Sequence, residues 1–133
     1  MSYKDKSASL AIIQTQSNKE IVVSLEVVTT NVEMIQGLMH RLYLKEDEGM
    51  LFIVNPPQIV NFWMKDTLMS LDIIFINNGR IVNVIKNTIP NQAHTIYSSI
   101  FPITEAIEVK AGFLDKYIVG IGNNVTFKGI VIP

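Results

Sequence analysis

Five residues near the middle of the chain combine charge or an aromatic surface with apolar surroundings. They are Arg41, Trp63, Lys65, Asp66 and Asp72, and Trp63 is the only tryptophan. Ionisable side chains within apolar sequence are costly to bury unless another group compensates them. The pattern therefore indicates a candidate cleft, lined by these five residues, for a small polar or anionic ligand or for a partner protein.

Four of these residues also have a purely structural interpretation. Arg41 lies at the end of a predicted helix, where a cation complements the helix dipole, and it could pair with Asp66 or Asp72. Trp63 could pack in the core or at its rim. Lys65 and Asp66 could form an exposed pair that contributes little to stability. The functional interpretation makes Arg41 a fork for a carboxylate or phosphate, and Trp63 a stacking wall.

Two carboxylates lie within apolar strand sequence. Asp72 and Glu108 are both flanked by aliphatic residues, so each must face solvent or accept strong hydrogen bonds. The catalytic interpretation is a hydrolase in which Asp72 or Asp66 is the general base and Arg41 or Lys65 stabilises developing negative charge. The missing nucleophile–base pair argues against it, so the chain is more consistent with a binding protein than with an enzyme.

Composition excludes several other classes of protein. With 11 basic and 12 acidic residues and a net charge of −1, no basic stripe is available to follow phosphates, so we predict no nucleic-acid partner. The chain has no cysteine, and its two histidines lie far apart in sequence, so we predict no metal and no cofactor. No apolar run approaches the ~20 residues that span a bilayer.

Strand patterns dominate the chain. Residues 21–28 are rich in β-branched side chains, and short apolar runs follow at 51–54, 59–64 and 71–76. Asn78-Gly79 separates two such runs and predicts a tight hairpin, because both residue types tolerate positive φ. Further strands are predicted at 103–109, 117–121, 125–127 and 130–132, and a helical turn at 112–116.

One helix is predicted near residues 31–41. Thr30 and Glu33 match a capping box, in which each side chain satisfies a free backbone amide. The apolar residues expected to face the core from this helix are Val32, Ile35, Met39 and Leu42. Gly37 lies inside the pattern and indicates close packing or an early end.

These elements predict a mainly β fold, with α+β at the margin. We expect a single antiparallel β-sandwich or barrel-like domain with one short helix, and no alternating βαβ units. Residues 1–20 are predicted to form an N-terminal extension that could contribute an edge strand. Residues 21–133 are predicted to form the domain.

Several motifs occur together in the order found in one protein family. They are Gly37-Leu38-Met39-His40-Arg41, Glu48-Gly49-Met50-Leu51-Phe52, Phe62-Trp63-Met64-Lys65-Asp66-Thr67, Leu71-Asp72-Ile73-Ile74-Phe75-Ile76, Gly79-Arg80-Ile81-Val82, Glu108-Val109-Lys110-Ala111-Gly112 and Gly120-Ile121-Gly122. Through them the chain resembles the prokaryotic domain of unknown function 192 family over about residues 21–127. Asp66 departs from the pattern, because the family usually has asparagine there, and Ser70 stands where it usually has proline.

The resemblance implies a compact, mainly β single domain and supplies no established activity. It also implies frequent export, because many members look as if they carry signal peptides or lipid anchors. We therefore expect a periplasmic or extracytoplasmic location if a leader has been removed, and a cytoplasmic one otherwise. The resulting hypothesis is a binding or accessory module of the cell envelope. A third interpretation makes the charged residues a structural network that joins helix to sheet.

Overall fold

The structure, a computed structural model, describes residues 9–130. Residues 1–8 of the predicted N-terminal extension lie outside this range. So do residues 131 and 132 of the strand predicted at 130–132.

Nine strands and two short helices make up the described part of the chain. The strands are β1 (Leu10–Gln14), β2 (Glu20–Val28), β3 (Glu48–Gln58), β4 (Asn61–Phe62), β5 (Leu71–Asn77), β6 (Arg80–Ile85), β7 (Tyr97–Ser98), β8 (Ile103–Lys110) and β9 (Asn124–Lys128). The helices are α1 (Asn31–Gln36) and α2 (Phe113–Tyr117).

Seven of the strands close into a barrel in the order β1-β2-β3-β8-β5-β6-β9. The mainly β, barrel-like fold predicted from the sequence is therefore confirmed. One connection differs from the prediction of a purely antiparallel sheet, because β3 runs parallel to β2. Parallel neighbours need a crossover, and α1 with the loop after it provides this one.

The strand β1 lies within the predicted N-terminal extension. It pairs with β2 on one side and with β9 on the other, so it has no free edge. The division between an extension and a domain at residue 21 stays a prediction.

The tight hairpin predicted at Asn78-Gly79 is confirmed. It joins β5 to β6, and the two turn residues have φ values of 48° and 78°. Both values lie in the left-handed region that asparagine and glycine tolerate better than other residues.

Apolar side chains on both faces of the strands form two separate cores. On β8, Ile107 and Val109 belong to the core inside the barrel, to which α2 contributes Phe113 and Leu114. Ala106 lies on the opposite face of the strand and belongs to a second core outside the barrel. Because successive side chains point to opposite faces, Glu108 shares this outer face with Ala106.

The outer core is covered by α1, the loop that follows it, and the small sheet formed by β4 and β7. Leu38 from the loop, Met64 and Phe52 are almost completely buried there, while Met34 and Phe62 pack against them. This covering layer, stacked on β3, β5 and β8, is the part of the fold that creates a cleft.

The predicted apolar face of the helix is wrong, although the capping box at Thr30 and Glu33 is confirmed. Val32 and Ile35 are exposed, and so is Leu42 in the loop beyond the helix. The helix ends at Gln36, because Gly37 adopts a φ of 47° that breaks the helical period. The chain then changes direction, and Met34 and Leu38 face the core instead.

Candidate functional site

Asp72 is buried and fully engaged by backbone amides. Its Oδ1 accepts a hydrogen bond from Asn87 N at 2.9 Å, and its Oδ2 accepts from Gly112 N at 3.2 Å and Leu114 N at 3.0 Å. The two bonds to Oδ2 tie the start of α2 to β5, and the bond to Oδ1 ties the segment after β6 to the same strand. Asp72 therefore holds the fold together and presents no free oxygen to a ligand.

Arg41 lies at the surface and pairs with a glutamate of β2. Its Nη2 is 2.7 Å from Glu26 Oε2, and both side chains are about half exposed. An exposed pair of this kind contributes about 0.2–1 kcal/mol to stability. Arg41 is thus an exposed residue with a partner, and it does not line the cleft.

Asp66 has a backbone role in a tight turn. Its φ is 53°, and its carbonyl oxygen accepts a hydrogen bond from His40 N at 2.8 Å. Aspartate and asparagine are the side-chain-bearing residues that best tolerate this conformation. The replacement of the usual asparagine by aspartate is thus compatible with the turn itself.

A cleft opens between the covering layer and the outer face of the barrel, with a volume of about 530 Å³. Its lining is mostly apolar, and among the five residues predicted from the sequence it includes only Trp63. The lining residues are Asn31, Met34, Ile35, Gln36, Gly37, Leu38, Met39, Phe52, Val60, Asn61, Phe62, Trp63, Thr67, Ile96 and Glu108.

Among residues 9–130, Glu108 contributes the only ionisable side chain to this lining. It lies on β8 between Met50 of β3 and Ile73 of β5, and only 4% of its surface is exposed. Burial among apolar neighbours raises the pKa of Glu108 to about 8. At neutral pH this carboxyl is therefore mainly protonated and uncharged.

Glu108 differs from the other buried polar residues in residues 9–130 in having no hydrogen-bond partner for its side chain. The remaining members of that set each make at least one side-chain hydrogen bond: Thr15, Thr67, Asp72, Thr88 and Ser99. Buried polar groups in folded proteins are nearly always bonded, and an exception calls for a specific explanation. A carboxyl left open at the floor of a cleft is a natural anchor for a ligand.

Gly37 leaves space directly above this carboxyl. A Cβ atom added at Gly37 would lie 3.7 Å from Glu108 Oε1 and 3.6 Å from Phe52 Cζ. The backbone there, with φ 47° and ψ −128°, is one that glycine adopts far more readily than other residues. The same glycine thus ends α1 and keeps the floor of the cleft open.

Three aromatic side chains form much of the wall. The rings of Phe52 and Phe62 meet edge to face with centroids 5.0 Å apart, and Trp63 is 41% exposed. The Lys65 ammonium lies 5.4 Å from the centroid of the Trp63 ring but does not line the cleft. The wall can therefore take an apolar or flat group.

The sequence drew attention to Glu108 but did not connect it with Trp63. The available signal was its phase on β8, which places it on the same face as Ala106. Its neighbours in the cleft come from α1, β3 and β4, and nothing local in the sequence shows that these elements meet there. Gly37 was noted in the sequence as a sign of close packing or an early helix end, and Phe52 as part of a predicted strand, but neither was connected with a cleft.

Neither a metal-binding cluster nor a membrane-spanning helix is found within residues 9–130. No group of three or more potential metal ligands is close enough to hold an ion. No helix in this range is long and apolar enough to cross a bilayer.

Two solved structures resemble this chain over most of its length. A protein from Sinorhizobium meliloti 1021, described as a "putative transcription regulator", is 28% identical with a TM-score of 0.87, and the match covers 96% of this chain and 100% of that one. A protein of unknown function from Novosphingobium aromaticivorans is 30% identical with a TM-score of 0.83. That match covers 88% of this chain and 83% of the other. No curated protein matches the chain.

The sequence pattern also matches a family model over residues 12–127, nearly the whole of the barrel. The model is that of domain of unknown function 192, described as an uncharacterized ACR. The predicted resemblance is therefore confirmed, and the chain belongs to the domain of unknown function 192 family.

Proposed function

We propose that this protein is a binding module whose cleft takes a small ligand with a mainly apolar body and one polar group that contacts Glu108. The observation that carries the proposal is the buried, unpaired carboxyl of Glu108 at the floor of an apolar cleft of about 530 Å³. Ligand sites in proteins are typically clefts of about 300–1,000 Å³ with apolar walls and a few polar groups.

A purely structural role does not explain Glu108. Burying a carboxyl without a hydrogen-bond partner costs about 1–3 kcal/mol, whereas an aliphatic side chain there would add packing at no such cost. Perturbed ionisable groups in clefts are concentrated at functional sites. A ligand that bonds to the carboxyl would explain both its presence and the shape of the cleft.

The lining argues against an anionic ligand, which is one of the alternatives that the sequence left open. Neither Arg41 nor Lys65 lines the cleft, and its one ionisable group is an acid. An anion placed beside Glu108 would meet no positive charge and would oppose ionisation of the carboxyl. A neutral or cationic ligand suits the site better.

Catalysis by Asp72 or Asp66 has little support. The carboxylate of Asp72 is hydrogen-bonded to three backbone amides, and Asp66 lies in a tight turn. A different catalytic role is favoured by one observation, the raised pKa of Glu108. A carboxyl that titrates near pH 8 can exchange protons with a bound molecule at neutral pH. Proton transfer by Glu108 is thus the second candidate function, and turnover of a bound compound that Glu108→Gln abolishes would distinguish it from binding.

The description of the Sinorhizobium meliloti protein does not lead us to propose nucleic-acid binding here. This chain has 11 basic and 12 acidic residues and a net charge of −1. Positive charge is therefore not in excess, and the sequence contains no basic stripe that could follow phosphates. A location at the cell envelope, and a protein partner there, stay predictions.

A thermal-shift screen against a library of small metabolites and envelope glycans tests the proposal. A true ligand at 100 times its Kd should add about 2.7 kcal/mol to the free energy of unfolding. Trp63→Ala should weaken the shift by removing one wall. Tyr43→Ala is the matched control, because Tyr43 is an exposed aromatic residue outside the cleft. Hits that respond equally to both variants, or an absence of hits, would count against the cleft.

A further inference from the structure

We propose that the ligand is an organic amine in its cationic form, with its ammonium group against the Glu108 carboxylate and its apolar body between the aromatic walls. This inference rests on the proposed binding function and specifies the chemical class of the ligand. It follows from the charge of the site, its aromatic lining and the access to the carboxyl.

Within residues 9–130, no cationic side chain lines the cleft to balance an ionised Glu108. Burial is the cause that raises the pKa of Glu108, and no charged neighbour contributes. Charged residues do occur on the surrounding elements: Glu33 on α1, His40 and Arg41 after it, Glu48 on β3, Lys65 beside Trp63, Asp72 on β5, and Glu105 and Lys110 on β8. None of them lines the cleft. A ligand cation would therefore supply the one charge that stabilises the ionised carboxyl.

The walls of the cleft are partly aromatic. Phe52, Phe62 and Trp63 all line the cleft beside Glu108. Aromatic faces attract cations, most strongly where the contact is desolvated. A cleft that is lined by three aromatic rings and one carboxyl suits an ammonium group that carries apolar substituents. A neutral alcohol or ketone would gain from the apolar contact alone.

The carboxyl of Glu108 faces the cleft next to Gly37. Because Gly37 has no side chain, the position that a Cβ atom would occupy 3.7 Å from Glu108 Oε1 is left empty. The nearby polar lining consists of neutral side chains, Asn31 and Asn61 among them, which neither repel nor replace a cation. An N–H of the ligand could thus approach Oε1 and donate a hydrogen bond to it.

Proton balance makes this inference measurable. Glu108 is protonated below about pH 8, so each ammonium that binds there displaces one proton to the solvent. Between pH 6 and pH 8 the ionised fraction of Glu108 rises about 50-fold, and affinity for a cation should rise by the same factor. A ligand that accepts a hydrogen bond from protonated Glu108 would show the opposite dependence.

The test is isothermal titration calorimetry with four compounds that share one tail. They are 4-phenylbutylamine, 4-phenylbutyltrimethylammonium, 4-phenylbutanol and 4-phenylbutyrate. We expect both cations to bind, with affinities that increase about 50-fold from pH 6 to pH 8. The alcohol should bind weakly at both pH values, and the carboxylate should not bind.

Three variants identify the group that is responsible. Glu108→Gln should reduce the affinity for the amine more than tenfold at pH 8 and abolish its pH dependence. Glu105→Gln is the matched control on the same strand and should leave both unchanged. Lys65→Ala should leave the amine affinity unchanged or improved, whereas an anionic ligand would lose affinity.

Failure of the amine inference is distinguishable from failure of the binding proposal. If the alcohol or the carboxylate binds in a manner sensitive to Trp63→Ala while the amines do not, the amine inference is overturned and the cleft stands. Amine binding that is indifferent to Glu108→Gln also overturns it. If none of the four compounds binds and the wider library is silent, both proposals fail.

Discussion

Between pH 5 and pH 8 the free energy of unfolding of the wild-type protein should fall by several kcal/mol, and Glu108→Gln should remove most of that fall. Burial raises the pKa of Glu108 from 4.5 to about 8 in the folded protein. The folded state therefore retains a proton that the unfolded state has already lost. Glutamine does not titrate, so the Glu108→Gln protein lacks this contribution to the pH dependence of the free energy of unfolding.

The sign follows from proton linkage. Below about pH 4.5 both states hold the proton, and the contribution of Glu108 to stability is fully present. It is lost as pH rises towards 8, and above that value both states are ionised and the loss is complete. Each pH unit corresponds to about 1.4 kcal/mol, which gives an upper limit of about 5 kcal/mol for the whole interval.

Urea unfolding of both proteins at several pH values provides the measurement. Glu105→Gln is the control, because Glu105 is a half-buried carboxylate on the same strand whose pKa is also raised by burial. We expect that control to retain most of the wild-type pH dependence. Equal slopes for wild type and Glu108→Gln would show that Glu108 is not an unpaired buried acid.

Replacing Asp72 by asparagine should destabilise the protein by about 3–5 kcal/mol, because charge-assisted bonds to backbone amides contribute about 1.5–3 kcal/mol each. The amide keeps the shape of the carboxylate, but its NH₂ group would face one of the N–H donors at Asn87, Gly112 or Leu114. The loss is large in comparison with the total stability of about 5–15 kcal/mol that is typical of a folded protein.

Denaturant unfolding of Asp72→Asn at pH 7 measures this effect. Asp115→Asn is the matched control, because Asp115 is an exposed aspartate that pairs with Lys86 at 2.7 Å. We expect its effect to stay below about 1 kcal/mol. If Asp72→Asn is as stable as the wild type and loses binding instead, Asp72 belongs to a functional site and its structural assignment is wrong.

Local signals in the sequence predicted much of the fold. The Asn78-Gly79 turn and the capping box at Thr30 and Glu33 depend on a few neighbouring residues, so both were accessible from the sequence. The parallel pairing of β2 with β3 was not, because it depends on where the chain goes after Gly37. Because the helix ends at this turn, Met34 packs against the core, whereas the sequence had predicted that Val32 would do so.

The candidate site was less accessible than the fold. The sequence selected charged residues within apolar runs, but such residues are satisfied in different ways. Asp72 is bonded to backbone amides, Arg41 to Glu26, and Asp66 lies in a left-handed turn. In the sequence Glu108 resembled these three residues. Only the packing of the covering layer shows that its side chain has no hydrogen-bond partner within residues 9–130.

The most direct test of the central claim, that the cleft at Glu108 is the ligand site, is an amide chemical-shift map. The ¹⁵N-labelled protein would be titrated with the four phenylbutyl compounds and with the strongest hits from the library. We predict shifts at Gly37, Glu108 and the indole N–H of Trp63. A second groove beside Ile118, lined also by Lys86 and Asp115, is the internal control and should remain unperturbed. Shifts confined to that groove, or none at the cleft for any bound compound, would contradict the claim.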